Sequence, residues 1–267
     1  MQIEDYNKPA EQKFRENFST GQKTIISEDR PEKATPDNTI RAGLIRALLL
    51  GTRAPPRPEG CGSRARGSLK SWILPVPLAM LRCTLEKDIT LFDCTLPGLY
   101  LNGSQLPALR APRLLCQGSL FLRHGFCAMG KVDLAGAKIT GQLDCSGGKF
   151  SGEDVALDCS TITVGADVFL GNSFEAQGTI DLTRADISGN LELWGATLRK
   201  DFIAQGMRVG IWFIWRGLNA PGSEVNLLDA HVGTLMDQPG SWQPVKHLVL
   251  SSFRYDRIES EMDVAER

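Results

Sequence analysis

The chain has 267 residues, 42% of them hydrophobic, enough for one large domain with a buried core or for two small ones. Its 30 Lys and Arg against 31 Asp and Glu leave a net charge of −1, so charge gives no reason to expect a nucleic-acid partner. The longest apolar runs, near 44–50 and 72–81, fall short of the roughly 20 residues that span a bilayer, and the polar N-terminus lacks the apolar stretch of a signal peptide.

Residues 1–39 are polar and carry Pro9, Pro31 and Pro36, and they read as a flexible arm, although Phe14 and Phe18 would share one face of a helix. Residues 40–85 read as a cap helix followed by a basic loop. In 40–50, "IRAGLIRALLL", Leu44, Ala47 and Leu48 fall on one helical face, and Gly51 ends it. Such a helix suits the exposed end of a repeat stack. The stretch 41–82 holds eight Lys and Arg and one acid, Glu59, a composition suited to an anionic membrane surface.

From 86 to 258 an apolar pattern at i, i+2 and i+7 governs the chain. Val132, Leu134 and Ile139 set it; Leu143, Cys145 and Phe150 repeat it, then Val155, Leu157 and Ile162. Further copies start at Ile89, Leu99, Leu120, Val168, Ile180, Leu191, Phe202, Ile211 and Val225; in the Val168 copy the third residue, Phe174, comes one place early. Short strands at such regular spacing, with almost no helical period, predict an all-β right-handed parallel β-helix, a β-solenoid.

The outward residues at i+1 set the coil length. Were each copy a whole coil, Asp133 would stack on Asp144 and Asp181 on Glu192, and adjacent like charges on parallel strands are unfavourable. Two copies per coil separate them. One ladder is then Phe121, Asp144, Phe169, Glu192 and Trp212, and the other Asp133, Ala156, Asp181, Ile203 and Asn226. The expectation is six or seven coils of roughly 23 residues. Residues 259–267 read as an acidic tail.

The seven cysteines are odd in number and form no C-x-x-C pair, so free thiols in a reducing, cytoplasmic compartment are expected. Cys127 and Cys145 occupy repeat positions held elsewhere by Leu, Val or Ile and read as small buried hydrophobes.

The segments "IRAGLIRALLLG" at 40–51, "GSLFLRHGF" at 118–126, "GKVDLAGAKITGQLDCSG" at 130–147 and "FRYDRI" at 253–258 resemble an uncharacterised family of bacterial β-solenoid proteins. Some of its members carry the name "membrane-associated oxidoreductase". The resemblance covers about 40–258. It implies a solenoid and, by that name alone, membrane association and redox chemistry. Residues 61–82 depart from the family's usual G-A-x-I-x-G-x-L-x-L wording.

Signatures of chemistry are sparse. Gly60-Cys61-Gly62-Ser63-Arg64-Ala65 matches G-x-G-x-x-A, but "APPRPE" before it is no strand and "RGSLKSW" after it is a poor helix, so no cofactor is expected there. Gly125 to Gly130-Lys131 has the spacing of a phosphate loop, but Val132 stands where Ser or Thr would bind magnesium. His124, His231 and His247 show no metal-ligand spacing, so no metal is expected either. On a β-helix, Asp144 and Glu192 would lie two rungs apart, about 9.6 Å, near the roughly 6.5–9.5 Å of an inverting glycosidase pair. Phe169 between them argues against a polar cleft.

The residues therefore favour a non-catalytic scaffold or interaction protein. Its candidate face is Phe121, Asp144, Phe169, Glu192 and Trp212, with a protein as partner and a peripheral membrane contact through 41–82. The alternatives are the oxidoreductase of the family name and a carbohydrate-active β-helix enzyme.

Overall fold

A computed structural model describes residues 7–20, 24–25, 35, 37–40, 68–70, 73–74, 76–238 and 240–260. The chain winds into a β-solenoid of about eight turns of roughly 23 residues, every strand pairing parallel with its equivalent in the next turn. Each turn has four short strands, so the cross-section has four walls. In one turn these are Val132–Asp133, Lys138–Ile139, Leu143–Asp144 and Lys149–Phe150. They are called here the first, second, third and fourth walls. One i, i+2, i+7 copy thus covers two walls and a corner, and two copies make a coil.

The spacing follows from the corner. In each copy the residue at i+4 has a left-handed backbone. From the first wall into the second these residues are Asp93, Arg113, Gly136, Thr161, Arg184, Gly206, Asp229 and Ser252, with φ between 54° and 65°. The turn is closed by the i+5 N–H donating to the i+2 carbonyl, as from Ala137 to Leu134 at 3.0 Å and from Gly148 to Cys145 at 2.9 Å. A left-handed backbone costs a residue with a Cβ roughly 1 kcal/mol, hence the Gly, Asn and Ser that punctuate the copies. At one of these corners Arg113 donates to both carboxylate oxygens of Asp93 in the preceding turn, at 2.6 and 2.8 Å.

Inward residues form continuous columns. Leu99, Leu120, Leu143, Val168, Leu191 and Phe213 follow one another in register along the third wall, all fully buried. Phe126, Phe150 and Phe174 stack with centroids 5.4 and 5.0 Å apart. Gly148 makes room for this stack, since a Cβ there would lie 2.8 Å from the Phe150 ring. The six described cysteines, Cys127 and Cys145 among them, are free and buried. Burial holds the Cys145 and Cys159 thiols well above their ordinary range.

Four sequence expectations need correction. First, the second ladder is Asp133, Asp158, Asp181, Ile203 and Asn226, with Leu157 and not Val155 in register with Val132 and Ile180. A register shift between Val155 and Leu157 absorbs one extra residue against Thr179–Ile180, which the apolar pattern cannot distinguish from a regular copy. Three carboxylates therefore stack on adjacent rungs. Second, the same kind of slip moves the last aromatic copy: Phe213, not Ile211, pairs with Leu191, so Ile214 follows Glu192 on the third wall and Trp212 leaves the ladder. Third, the copies starting at Leu120 and Val168 carry one extra corner residue each. His124 with Gly125, and Asn172 with Ser173, are successive left-handed residues. Ala128 thus takes the inward place expected for Cys127, and Ala176 that expected for Phe174. Fourth, the solenoid begins before 86. Ser68–Lys70 and Leu78–Leu81 pair with 90–92 and 99–100, and Leu78, Met80 and Leu85 form a buried copy.

The N-terminal segment is also built into the stack. Helix α1 (Pro9–Ser19) starts with proline in its first turn, and Glu11 accepts from the Lys8 backbone N–H at 3.3 Å, half of a capping box. Ala10 and Phe14, one helical turn apart, are buried in the core. Thr24–Ile25 and Thr39–Ile40 pair with the first described turn. Residues 7–19 and 37–40 thus cover the end of the stack, where the sequence suggests a mobile arm. Ile40 lies in a strand, and the rest of the expected cap helix, 41–50, lies outside the described residues, as do Gly60 and Gly62.

Replacing Leu182, fully buried in a column with Leu134, Cys159 and Leu227, by alanine is expected to cost about 2–5 kcal/mol, read from the denaturant midpoint. The acid stack gives a second test. Lys131 Nζ lies 2.7 Å from Asp158 and 3.8 Å from Asp133. Burial raises the Asp158 carboxyl, but hydrogen bonds from Lys131 and Ser160 outweigh it, so the group sits below its ordinary value. Burial likewise lowers the Lys131 ammonium, and its acidic neighbours outweigh that and raise it. A lowered carboxylate contributes stability above its unfolded value and loses it as pH falls through the folded one. Lys131→Met should therefore destabilise by about 1 kcal/mol near neutral pH, the pair being partly solvent-screened. In pH-resolved unfolding, the gap to wild type should close as pH drops through the carboxylate range.

Candidate functional site

The outer face of the third wall carries, in register, Tyr100, Phe121, Asp144, Phe169, Glu192 and Ile214. Four of the five sequence candidates lie together there as expected. Trp212 does not: it sits at the corner between the second and third walls, exposed, its backbone N–H donating to Asn190 Oδ1 at 3.1 Å.

The face is organised around one buried carboxylate. Asp144 is 5% exposed. Its Oδ1 accepts from the Ser146 N–H at 2.9 Å, an Asx turn that caps the corner, and its Oδ2 accepts from Arg123 Nη1 at 2.7 Å. Arg123 in turn lies over the Phe121 ring, 4.3 Å from its centroid, and Phe121 packs on Tyr100 at 5.2 Å. Aromatic rings, guanidinium and carboxylate thus hold one another in a single chain of contacts up the wall. Arg123 Nε is buried without a hydrogen-bond partner.

Beside this chain runs a groove of about 490 Å³, lined by Arg123, His124, Gln142, Asp144, Ser146, Gly147, Phe169 and Asn172. It exists because His124 and Asn172 belong to the two enlarged corners, while the turn between them has the plain corner at Gly147. One rung beyond, Glu192 is half-buried. Burial, and then the charges of Asp144 and Asp167, push its carboxyl above the ordinary range. Trp194, 61% exposed, lies on the corner leading to the fourth wall, outside the groove's lining and against Gly217.

The sequence reading missed Arg123, His124, Gln142, Asn172 and Trp194. It followed only the i+1 positions, whereas these residues fall at i−1, i+3 and i+4, where a chain leaving a short strand also faces outward. A signal was present only in the copy that starts at Val168, whose third apolar residue, Phe174, comes one place early.

The chemistry of the acids is accounted for by the fold. Asp133, Asp158 and Asp181 accept from the i+3 N–H groups of Ala135, Ser160 and Thr183 at 3.1, 3.0 and 2.8 Å, as Asp144 does from Ser146, and Asn226 does the same for Leu228 at 3.1 Å. An outward Asp or Asn at i+1 is a corner cap. Phe169 separates Asp144 from Glu192, and Asp144 has both oxygens engaged. Among the described residues no group of three or more His, Cys, Asp or Glu side chains is placed to hold a metal ion, and no helix is long and apolar enough to cross a membrane. Comparisons with protein-family models, with curated proteins and with solved structures give no match.

The cap role separates two substitutions. Asp144→Asn keeps a side-chain oxygen for the Ser146 N–H, whereas Asp144→Ala removes it and the partner of Arg123 together. The alanine variant should lie about 1 kcal/mol or more below the asparagine variant in thermal or denaturant unfolding.

Proposed function

We propose that this protein is a non-catalytic β-solenoid scaffold that binds a protein partner along its third wall. The observation that carries this reading is the engagement of the outward acids. Of the carboxylates that would serve a glycosidase, Asp144 is a corner cap and ion-pair partner and Asp133 and Asp181 are corner caps, which leaves Glu192 without an unengaged acid as its partner in the pair. What the wall offers outward is a groove with an aromatic ring, a guanidinium and a half-buried acid. Rigid rings set among desolvated charges are the make-up of binding hot spots, and a repeat stack is a rigid support for them.

The oxidoreductase reading rests on resemblance alone, and its one local motif, at 60–65, lies outside the described residues. The basic 41–82 segment is the part of the chain suited to a peripheral membrane contact, which co-sedimentation with anionic vesicles tests.

A photo-crosslinking residue placed at 169 on the third wall should capture a protein that the same residue placed at 138 on the second wall does not, and Arg123→Glu should abolish that capture. Equal labelling from both walls rejects the proposed face. Turnover of a glycan, a flavin or a nicotinamide nucleotide by the pure protein, lost in Glu192→Gln, rejects the non-catalytic reading.

A further inference from the structure

The two ends of the solenoid differ. At the N-terminal end helix α1 packs Ala10 and Phe14 onto the stack. At the other end Trp242 covers the fourth wall, stacked 4.9 Å from Trp215. Among the described residues the other walls end in strands paired on one edge only. Among the described residues His247–Val249 pairs only with Glu224–Asn226, and Arg254–Ser260 only with His231–Asp237. Tyr255 and Ile258 continue the inward columns of Val232 and Leu235, and Leu248 that of Val225; among the described residues no further turn covers them, and Tyr255 is 47% and Leu248 38% exposed. An unpaired strand edge with apolar residues beside it invites another strand.

The last strand is self-complementary. Arg254–Ser260 bends round the corner between the second and third walls. Tyr255 and Ile258 point inward on either side of that bend, and Asp256 and Arg257 lie between them. Against an antiparallel copy of itself centred between Asp256 and Arg257, Arg254 faces Glu259, Tyr255 faces Ile258 and Asp256 faces Arg257. Every charge meets its opposite, and the inward residues meet each other. Slipping the register by one residue breaks both matches. Among the described residues Arg254, Arg257 and Glu259 have no ion-pair partner, while Asp256 meets His231 at 3.0 Å. The four-walled cross-section fits the same operation: a twofold axis through this corner exchanges the second and third walls and brings the two stacks end to end.

We propose that this end is a dimer interface, at which a second copy of the chain sets its last strand antiparallel to Arg254–Ser260 about a twofold axis between Asp256 and Arg257. The twofold contact is closed, so it pairs the last strands of both copies without building a filament. It lies at the end of the stack and is independent of the third-wall groove.

Sedimentation equilibrium of the full chain should give twice the 29.2 kDa chain mass, with a concentration-dependent monomer. Arg254→Glu and Glu259→Arg each place two like-charge pairs across the axis and should weaken the dimer by about tenfold or more. The double variant R254E/E259R should restore it, because the pairs are re-formed with reversed sign. Thermal unfolding by circular dichroism should show all three variants folded. Rescue by the double variant is the result a merely structural role would not give. A monomeric wild type, an open-ended assembly, or a dimer indifferent to the single reversals overturns the proposal.

Discussion

The left-handed corner is the constraint on which this molecule depends. Each copy of the pattern must reverse into a new wall within about five residues, and it does so with one residue at positive φ and one hydrogen bond from i+5 to i+2. That turn limits most strands to two residues, places inward residues at i, i+2 and i+7, and stacks the corners above one another. The columns and the parallel ladders follow from it, since a corner displaced by one residue would turn every later side chain to the wrong face. Extra residues are therefore absorbed locally, as a second left-handed residue at His124–Gly125 and Asn172–Ser173 or as a slipped pair at Val155 and Leu157.

The same constraint explains why three aspartates stack on adjacent rungs. Like charges in partly exposed positions repel by about 1 kcal/mol at water-like dielectric and by more as solvent is excluded. Each of these carboxylates also accepts a charge-assisted hydrogen bond from a corner N–H, and such bonds contribute roughly 1.5–3 kcal/mol. Lys131 between Asp133 and Asp158 removes much of what repulsion remains. The corner cap outweighs the ladder, so reasoning from charge repulsion alone gave the right coil length while misplacing a residue within it.

The groove is a by-product of irregularity. Two enlarged corners flank a plain one, and the space between them is lined by residues from three successive turns. Asp144 links these turns, capping its own corner while holding Arg123 of the preceding turn, which in turn holds Phe121. A regular stack would present a flat wall; here the departures from the repeat are what give the surface a shape.

By itself the sequence determined the architecture, because apolar spacing and turn residues are local properties that recur a dozen times and reinforce one another. Parallel β-structure, two copies per coil and the membership of Phe121, Asp144, Phe169 and Glu192 in one ladder were all legible from it. Only the tertiary structure decided the register at the irregular copies. Val155 and Leu157, or Ile211 and Phe213, are equally apolar at i and i+2, and which of them faces inward is set by the pairing with neighbouring turns. For the same reason Trp212 left the ladder, Arg123 entered the site, and Pro9–Ser19 became part of the stack: each depends on which turn lies above or below, information that no single stretch of chain contains.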